Sequence, residues 1–162
     1  MADALAVAIA EPARAAEEYL EHHEDRVLGE LLEFLRIPSV AVVPEHQADR
    51  ERAAAWIAAR LRAAGASDIE LLPPPDGGPP VVYGRIERGA DLPTVLIYGH
   101  YDTQTPNPVE EWDTPPFEPT IRDGAIYARG ASDDKGMLVA TFAAIEALLE
   151  TDTFPGLNLI FC

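Results

Sequence analysis

The sequence predicts an α/β fold in which helices flank a sheet. Residues 95–98, Val-Leu-Ile-Tyr, form an apolar run without alternation, which is typical of a strand covered on both faces. Residues 135–149 are apolar almost all round and predict a deeply packed helix, and residues 157–162 predict a further buried strand. Strand, helix and strand in this order favour a parallel crossover unit.

The elements before residue 95 follow from helical periodicity and turn residues. Apolar residues recur at helical spacing over residues 17–36 and again over residues 48–64, where Gly65 is placed to cap the second helix. Residues 68–72 and 81–86 predict two strands, separated by a loop rich in proline and glycine. We therefore expect two helices and two strands ahead of the crossover unit.

A hairpin and a single domain complete the predicted organisation. Asp123-Gly124 separates residues 118–122 from residues 125–128, as the two-residue turn of a hairpin would. A length of 162 residues predicts one compact unit. Residues 1–16 are interpreted as a lead-in and residues 17–162 as the folded part.

The composition excludes several classes of partner. The chain has 28 Asp and Glu against 12 Lys and Arg, a net charge of −16 that repels nucleic acid and anionic membrane surfaces. Cys162 is the only cysteine, so no internal disulfide can form and a reducing cytoplasm is the expected location. Residues 1–10 lack the basic segment of a signal peptide, and no apolar run approaches the roughly 18 residues of a membrane span. We expect a soluble cytoplasmic protein.

A candidate site follows the apolar strand at residues 95–98. His100 and Asp102 lie just beyond it, and open α/β sheets place their sites at the C-terminal ends of strands. A neutral imidazole is a good zinc ligand, and a neighbouring carboxylate can fix its orientation. The alternative is that the two residues merely close a loop.

A second candidate segment precedes the long apolar helix. Asp133 and Asp134 would lie at the positive end of that helix. Helix capping is the alternative interpretation, since an aspartate at this position can accept hydrogen bonds from the free N–H groups of the first turn. Capping explains one aspartate well and two less well.

The order and spacing of several motifs carry a family resemblance. They are Gly99-His100-Tyr101-Asp102, Glu111-Trp112, Pro116-Phe117, Asp123-Gly124 and Gly130-Ala131-Ser132-Asp133-Asp134-Lys135-Gly136. Together they resemble the M20 metallopeptidases, especially the carnosine-type and cytosolic nonspecific dipeptidases. The resemblance extends over roughly residues 19–162, and its specific motifs lie between residues 99 and 136. Thr103 departs from the family, in which Val is usual at that place.

The resemblance implies a fold and a set of site residues. It implies a two-zinc exopeptidase catalytic domain, of which residues 17–162 are the first part, with the remainder and the smaller dimerisation domain absent. His100 would ligate one metal ion, Asp133 would bridge two, and Asp102 would be the catalytic aspartate. Asp134 would not be a ligand, and the bond between Asp133 and Asp134 would be cis. The cofactors would be two divalent ions, zinc first, with manganese or cobalt as alternatives.

The function that the resemblance implies is hydrolysis of dipeptides or short peptides by a metal-activated water. The family supplies its general base from a Glu-Glu pair that would follow Cys162, so the 162-residue chain is expected to be incomplete and inactive alone. A homodimer would form only through the missing regions. Two alternatives stay open: a non-catalytic remnant or interaction fragment, and an amidohydrolase acting on N-acyl or N-succinyl amino acids.

Overall fold

The structure is a computed structural model that describes residues 13–75 and 78–162. Most of the predicted lead-in, residues 1–12, lies outside the described residues, as do Asp76 and Gly77 of the proline-rich loop. In the described part, the helices are α1 (residues 13–22), α2 (Glu24–Leu35), α3 (Gln47–Ala63) and α4 (Lys135–Glu150). The strands are β1 (Ser67–Leu72), β2 (Val81–Ile86), β3 (Thr94–Ile97), β4 (Thr120–Arg122), β5 (Ala125–Tyr127) and β6 (Asn158–Phe161).

The main sheet has the strand order β1-β2-β6-β3. Strand β3 pairs with β6 in parallel, in a register that sets Val95 beside Leu159 and Ile97 beside Phe161, whereas the β1–β2 and β2–β6 pairs are antiparallel. Helix α4 lies between β3 and β6 in the chain, so the parallel crossover predicted from the sequence is confirmed. The predicted α/β fold is confirmed with it.

A single hydrophobic core packs α2, α3 and α4 against the sheet. Phe34 of α2, Leu61 of α3 and Val139 of α4 are almost completely buried, together with Leu159 and Phe161 of β6. The buried and exposed residues of β2 alternate, as expected for a strand that covers a core with one face. The core therefore fixes the positions of β3 and α4, the two elements that border the candidate site.

Two local predictions are confirmed in detail. Gly65 has φ +86°, and the N–H groups of Gly65 and Ala66 donate to the carbonyls of Arg62 and Leu61 at 3.1 and 3.0 Å, which is a Schellman cap on α3. Asp123 and Gly124 have φ +52° and +75°, and they connect β4 to β5 as a type I′ turn would. Both motifs form where local residue types alone specify the backbone.

The prediction of a single helix over residues 17–36 is wrong, because the helix is interrupted by a turn at His23, between α1 and α2. The His23 imidazole Nδ1 donates to the Tyr19 carbonyl at 2.7 Å and takes the acceptor that the His23 backbone N–H would use in a continuous helix. That N–H turns instead to the Leu20 carbonyl at 3.0 Å. The predicted helix is therefore divided into two at His23.

The expectation that residues 95–98 are covered on both faces is also wrong. Val95, Leu96 and Tyr98 are 44%, 63% and 76% exposed in the described part of the chain, where β3 is the last strand of the sheet and Ile97 is the residue of this run that packs against the core. Helix α4 is deeply packed through Leu138 and its neighbours, as predicted, although Met137 is exposed. No helix in the two described ranges is long and apolar enough to cross a bilayer.

Candidate metal-binding site

The candidate site lies where β3 ends and α4 begins. Strand β3 ends at Ile97, three residues before His100, and α4 begins at Lys135, two residues after Asp133. The crossover carries α4 back along the sheet, so its first turn lies beside the C-terminal end of β3. The main sheet thereby brings together two segments that are 33 residues apart in sequence.

His100 lies between two carboxylates. Its Nδ1 is 3.0 Å from Asp102 Oδ1, and its Nε2 is 3.0 Å from Asp133 Oδ1. The structure therefore brings together all three residues singled out from the sequence. We call His100, Asp102 and Asp133 the site cluster.

The site cluster carries an excess of negative charge. Burial lowers the pKa of His100, but the charge of Asp102 and the hydrogen bonds to both carboxylates outweigh burial, so the pKa lies above its ordinary value. Even a protonated imidazole would leave two carboxylates against one positive charge. The Asp133 side chain is 77% exposed, so a cation can reach the cluster from solvent.

The donor set of the cluster fits a zinc-type ion in part. Asp102 occupies Nδ1 and leaves Nε2 for a metal, which is the arrangement that orients metal-binding histidines. Imidazole nitrogen and carboxylate oxygen are both zinc ligands. Within residues 13–75 and 78–162, however, no group of three or more His, Cys, Asp or Glu side chains is arranged to hold an ion. His100 and Asp133 would give an ion two donors, fewer than the three protein ligands that a catalytic zinc usually takes.

Asp134 and Lys135 support the site in ways that sequence reasoning missed. Asp134 occupies the N-cap position of α4 but makes no side-chain capping bond; its Oδ2 instead accepts the His100 backbone N–H at 3.2 Å. Lys135 is completely buried, and its Nζ donates to the carbonyls of Phe34 and Ile37 at 3.0 and 2.6 Å. Burial lowers the pKa of Lys135 to about 7. One signal was available, since Lys135 is the only lysine of the chain.

Backbone geometry agrees with one further implication of the resemblance. The peptide bond between Asp133 and Asp134 is cis, as is the bond between Asn107 and Pro108. The capping interpretation of the two aspartates is wrong for Asp134, because its carboxylate is directed to another segment.

A mainly apolar cavity of about 390 Å³ adjoins the site cluster. Its lining includes His100, Tyr101 and Asp102 beside core side chains of α3, α4 and β6. The Tyr101 hydroxyl donates to the Pro80 carbonyl at 2.5 Å, and burial, with the charge of Asp102, raises the pKa of Tyr101 to about 12. Tyr101 is therefore a phenol at neutral pH, and not a general base.

An imidazole and carboxylates gathered at the C-terminal end of a strand lie where α/β sheets bind ligands, and they are donor types that zinc takes. The profile of Peptidase family M20/M25/M40 matches residues 96–162, the part of the chain that contains the site cluster. The chain belongs to the M20 peptidase family. Divalent metal use is a property of this family, which includes a metallo-carboxypeptidase among the solved structures that resemble the chain.

Two curated relatives and two solved structures define the similarity. A cysteinylglycine-S-conjugate dipeptidase of Corynebacterium striatum is 34% identical over 87% of the chain and 31% of its own length. A succinyl-diaminopimelate desuccinylase of Delftia acidovorans is 42% identical over 46% of the chain and 19% of its own length. The di-peptidase Dug1p from Saccharomyces cerevisiae superposes with a TM-score of 0.83 at 27% identity, over 92% of the chain and 33% of that structure.

The second structure is an M20 family metallo-carboxypeptidase, Sso-CP2 from Sulfolobus solfataricus. It superposes with a TM-score of 0.74 at 36% identity, over 83% of the chain and 29% of that structure. The chain thus spans about a third of the length of the dipeptidases that it matches.

Proposed function

We propose that the chain is part of a metal-dependent hydrolase of dipeptides or short peptides, in which His100 binds one metal ion and Asp133 bridges two. The observation that supports this best is the His100 imidazole held between two carboxylates at 3.0 Å on each side. Two divalent ions, when bound, supply a nucleophilic water near neutral pH and stabilise the charge on the carbonyl oxygen.

Each residue of the site cluster has a separate task in this proposal. Asp102 accepts the Nδ1 proton of His100, which would hold the imidazole in the tautomer whose Nε2 lone pair is directed towards Asp133. His100 offers that lone pair as a neutral ligand. Asp133 has two carboxylate oxygens and an exposed side chain, so it suits a bridging position. Asp102, the catalytic aspartate that the resemblance implies, acts here by holding the ligand.

The number of donors limits what the chain does alone. A catalytic zinc usually takes three protein ligands and a water, whereas His100 with Asp133 gives two donors to one ion and one to the other. We expect weak metal binding and no turnover by the 162 residues. Calorimetric titration with zinc, manganese and cobalt, beside an assay on a dipeptide panel, tests this. Tight binding of two ions per chain together with turnover would contradict it.

An N-succinyl amino acid is the second candidate substrate. The observation in its favour is the 42% identity with a desuccinylase over 75 residues. Dipeptide hydrolysis remains the preferred function because the similarity to the Corynebacterium striatum dipeptidase covers 87% of the chain. Competition between a dipeptide and an N-succinyl amino acid in one assay of the complete enzyme would decide, since the better substrate has the higher kcat/KM.

A further inference from the structure

We propose that Asp134 is a positioning residue that sets the separation between His100 and Asp133 by tying the His100 backbone to the start of α4. The Asp134 carboxylate reaches across 34 positions of sequence to the His100 backbone N–H. Asp133, the second ligand of the proposed metal site, precedes Asp134 directly. The tie thus joins the backbones of the two ligands, and its role in metal binding rests on the function proposed above.

The Asp134 carboxylate bonds to His100 and not to the first turn of its own helix. Asp134 stands at the N-cap with φ −126° and ψ 3°, and its own carbonyl accepts the Leu138 N–H at 3.0 Å, so the first turn of α4 is formed. Its side chain makes no capping bond to that turn. An aspartate at an N-cap normally stabilises the helix by accepting hydrogen bonds from its first turn. Here that interaction is replaced by a charge-assisted hydrogen bond to a different segment.

Gly99 makes this close approach possible. A Cβ on residue 99 would lie 2.4 Å from Leu138 Cδ2, a distance that requires this side chain to move, and 3.0 Å from Asp134 Oδ2, which is tighter than most Cβ contacts. Gly99 is not among the glycines with positive φ, so closeness to α4 is the reason for glycine here. The end of β3 and the first turn of α4 thus meet with no space between them.

Lys135 connects the first turn of α4 to the end of α2. Its Nζ donates to two carbonyls at the end of α2 and lies 4.6 Å from the centre of the Phe34 ring. The position of Asp134 is therefore restrained, because the next residue, Lys135, is hydrogen-bonded to the end of α2. Rotation of the His100 ring is fixed by Asp102, and the place of the His100 backbone is fixed by Asp134. Together these contacts determine where Nε2 points.

Amide exchange tests the tie without any metal. In Asp134→Ala we expect the His100 backbone amide to exchange at least about 10-fold faster in NMR-detected hydrogen exchange, because its acceptor is gone, while the amides of β6 keep their protection. Asp134→Asn keeps an acceptor oxygen and should lie in between. Asp91→Ala removes an equal charge from an exposed loop and should change nothing. Unchanged exchange of His100 in both Asp134 variants would overturn the proposal.

A zinc titration followed through the His100 ring 15N signals tests the consequence. We expect zinc affinity to fall roughly 10-fold or more in Asp134→Ala, with partial recovery in Asp134→Asn and none of this loss in Asp91→Ala. If zinc does not shift the His100 ring signals in the unaltered chain, the proposed function fails. The amide exchange then still tests whether the Asp134 carboxylate holds the His100 backbone. If zinc binds all variants equally, the positioning role fails while the proposed function stands. Should Asp134→Ala not fold, Asp134→Asn alone decides, by the same two measurements.

Discussion

Two clusters of charged side chains in this protein differ in balance and in exposure. The first, the helix network, consists of Arg26, Glu30, Arg60 and Glu146, and it joins α2, α3 and α4. Two arginines meet two glutamates there, and the Arg60 and Glu146 side chains are only 6% and 12% exposed. The second is the site cluster, in which two carboxylates flank one half-buried imidazole.

The difference separates a structural cluster from the cluster for which we propose metal binding. Arg60 Nε and Arg26 Nη1 each contact Glu30 at 2.8 Å, and both arginines also contact Glu146, which accepts a further hydrogen bond from the Tyr19 hydroxyl at 2.8 Å. The charges of the helix network cancel, and solvent is nearly excluded from Arg60 and Glu146, although Arg26 at the edge of the network is 38% exposed. The site cluster keeps uncancelled negative charge in contact with solvent, which favours the approach of a cation. The variants below test this contrast.

Loss of Glu146 should have the largest effect on stability. Glu146→Ala removes one of the two carboxylate partners of the buried Arg60 guanidinium and leaves Glu30 as the other. Breaking a buried pair costs up to about 3–5 kcal/mol in the free energy of unfolding. Asp133→Ala, in the exposed cluster, should change that free energy by no more than about 0.5 kcal/mol. Urea unfolding of both variants measures the difference. Equal losses would show that the two clusters are not distinct.

A double variant sharpens the same test. Replacing Arg60 and Glu146 together, as Arg60→Met with Glu146→Leu, removes both buried charges and should recover most of the loss, because apolar replacements of a buried pair are often neutral or stabilising. Additive losses in the double variant would mean that the packing of the side chains, and not their charges, carries the stability.

In the site cluster, replacement of His100, the proposed ligand, and of Asp102, its hydrogen-bond partner, should change different measured quantities. In the complete enzyme, His100→Ala should lower metal content, whereas Asp102→Ala should lower turnover more than metal content, each by roughly 10- to 100-fold. Metal analysis beside steady-state kinetics distinguishes the two. Asp113→Ala, which removes an exposed carboxylate elsewhere, is the control. Complete metal loss in the Asp102 variant, equal to that in His100→Ala, would make Asp102 a ligand.

Thr103 provides a smaller test beside the site cluster. Its side chain is 2% exposed, and its hydroxyl has no hydrogen-bond partner in the described part of the chain. Thr103→Val keeps the shape and removes a buried unpaired hydroxyl, so the free energy of unfolding should rise by about 1 kcal/mol. Thr103→Ser keeps the hydroxyl and loses a methyl group, and it should destabilise the protein. Destabilisation by the valine variant would mean that the hydroxyl has a partner.

The acid dependence of stability should show the smallest effect. Burial raises the pKa of Glu146, but the Tyr19 hydrogen bond and the charges of Arg60 and Arg26 outweigh it, and the pKa lies below its ordinary value of 4.5. The stability that Glu146 contributes is therefore fully present above pH 4.5 and is lost as the pH falls below it. Tyr19→Phe removes one of these causes and should flatten the slope of unfolding free energy against pH.

The matched control for this slope is Tyr98→Phe, which removes an exposed hydroxyl. The unaltered chain, Tyr19→Phe and Tyr98→Phe are compared by their urea unfolding midpoints, measured from about pH 6 to about pH 3. A slope in Tyr19→Phe as steep as in the unaltered chain would show that Tyr19 does not hold the carboxylate in its charged form.

The sequence by itself determined the elements whose backbone depends on near neighbours. The Gly65 cap, the Asp123-Gly124 turn and the β3-α4-β6 crossover were predictable because residue type and hydrophobic period act over a few positions. The convergence of His100, Asp102 and Asp133 was also predictable, because the crossover sets the end of β3 beside the start of α4.

Only the tertiary structure decided which surfaces are covered and which distant groups meet. The apolar run at residues 95–98 is the same whether β3 lies at an edge or in the middle of the sheet, so composition could not reveal its exposure. Arg60 and Glu146 are 86 residues apart, and Asp134 and His100 are 34 apart. Such contacts depend on how the helices pack, because a side chain finds its partner through space and leaves no periodic trace in the sequence.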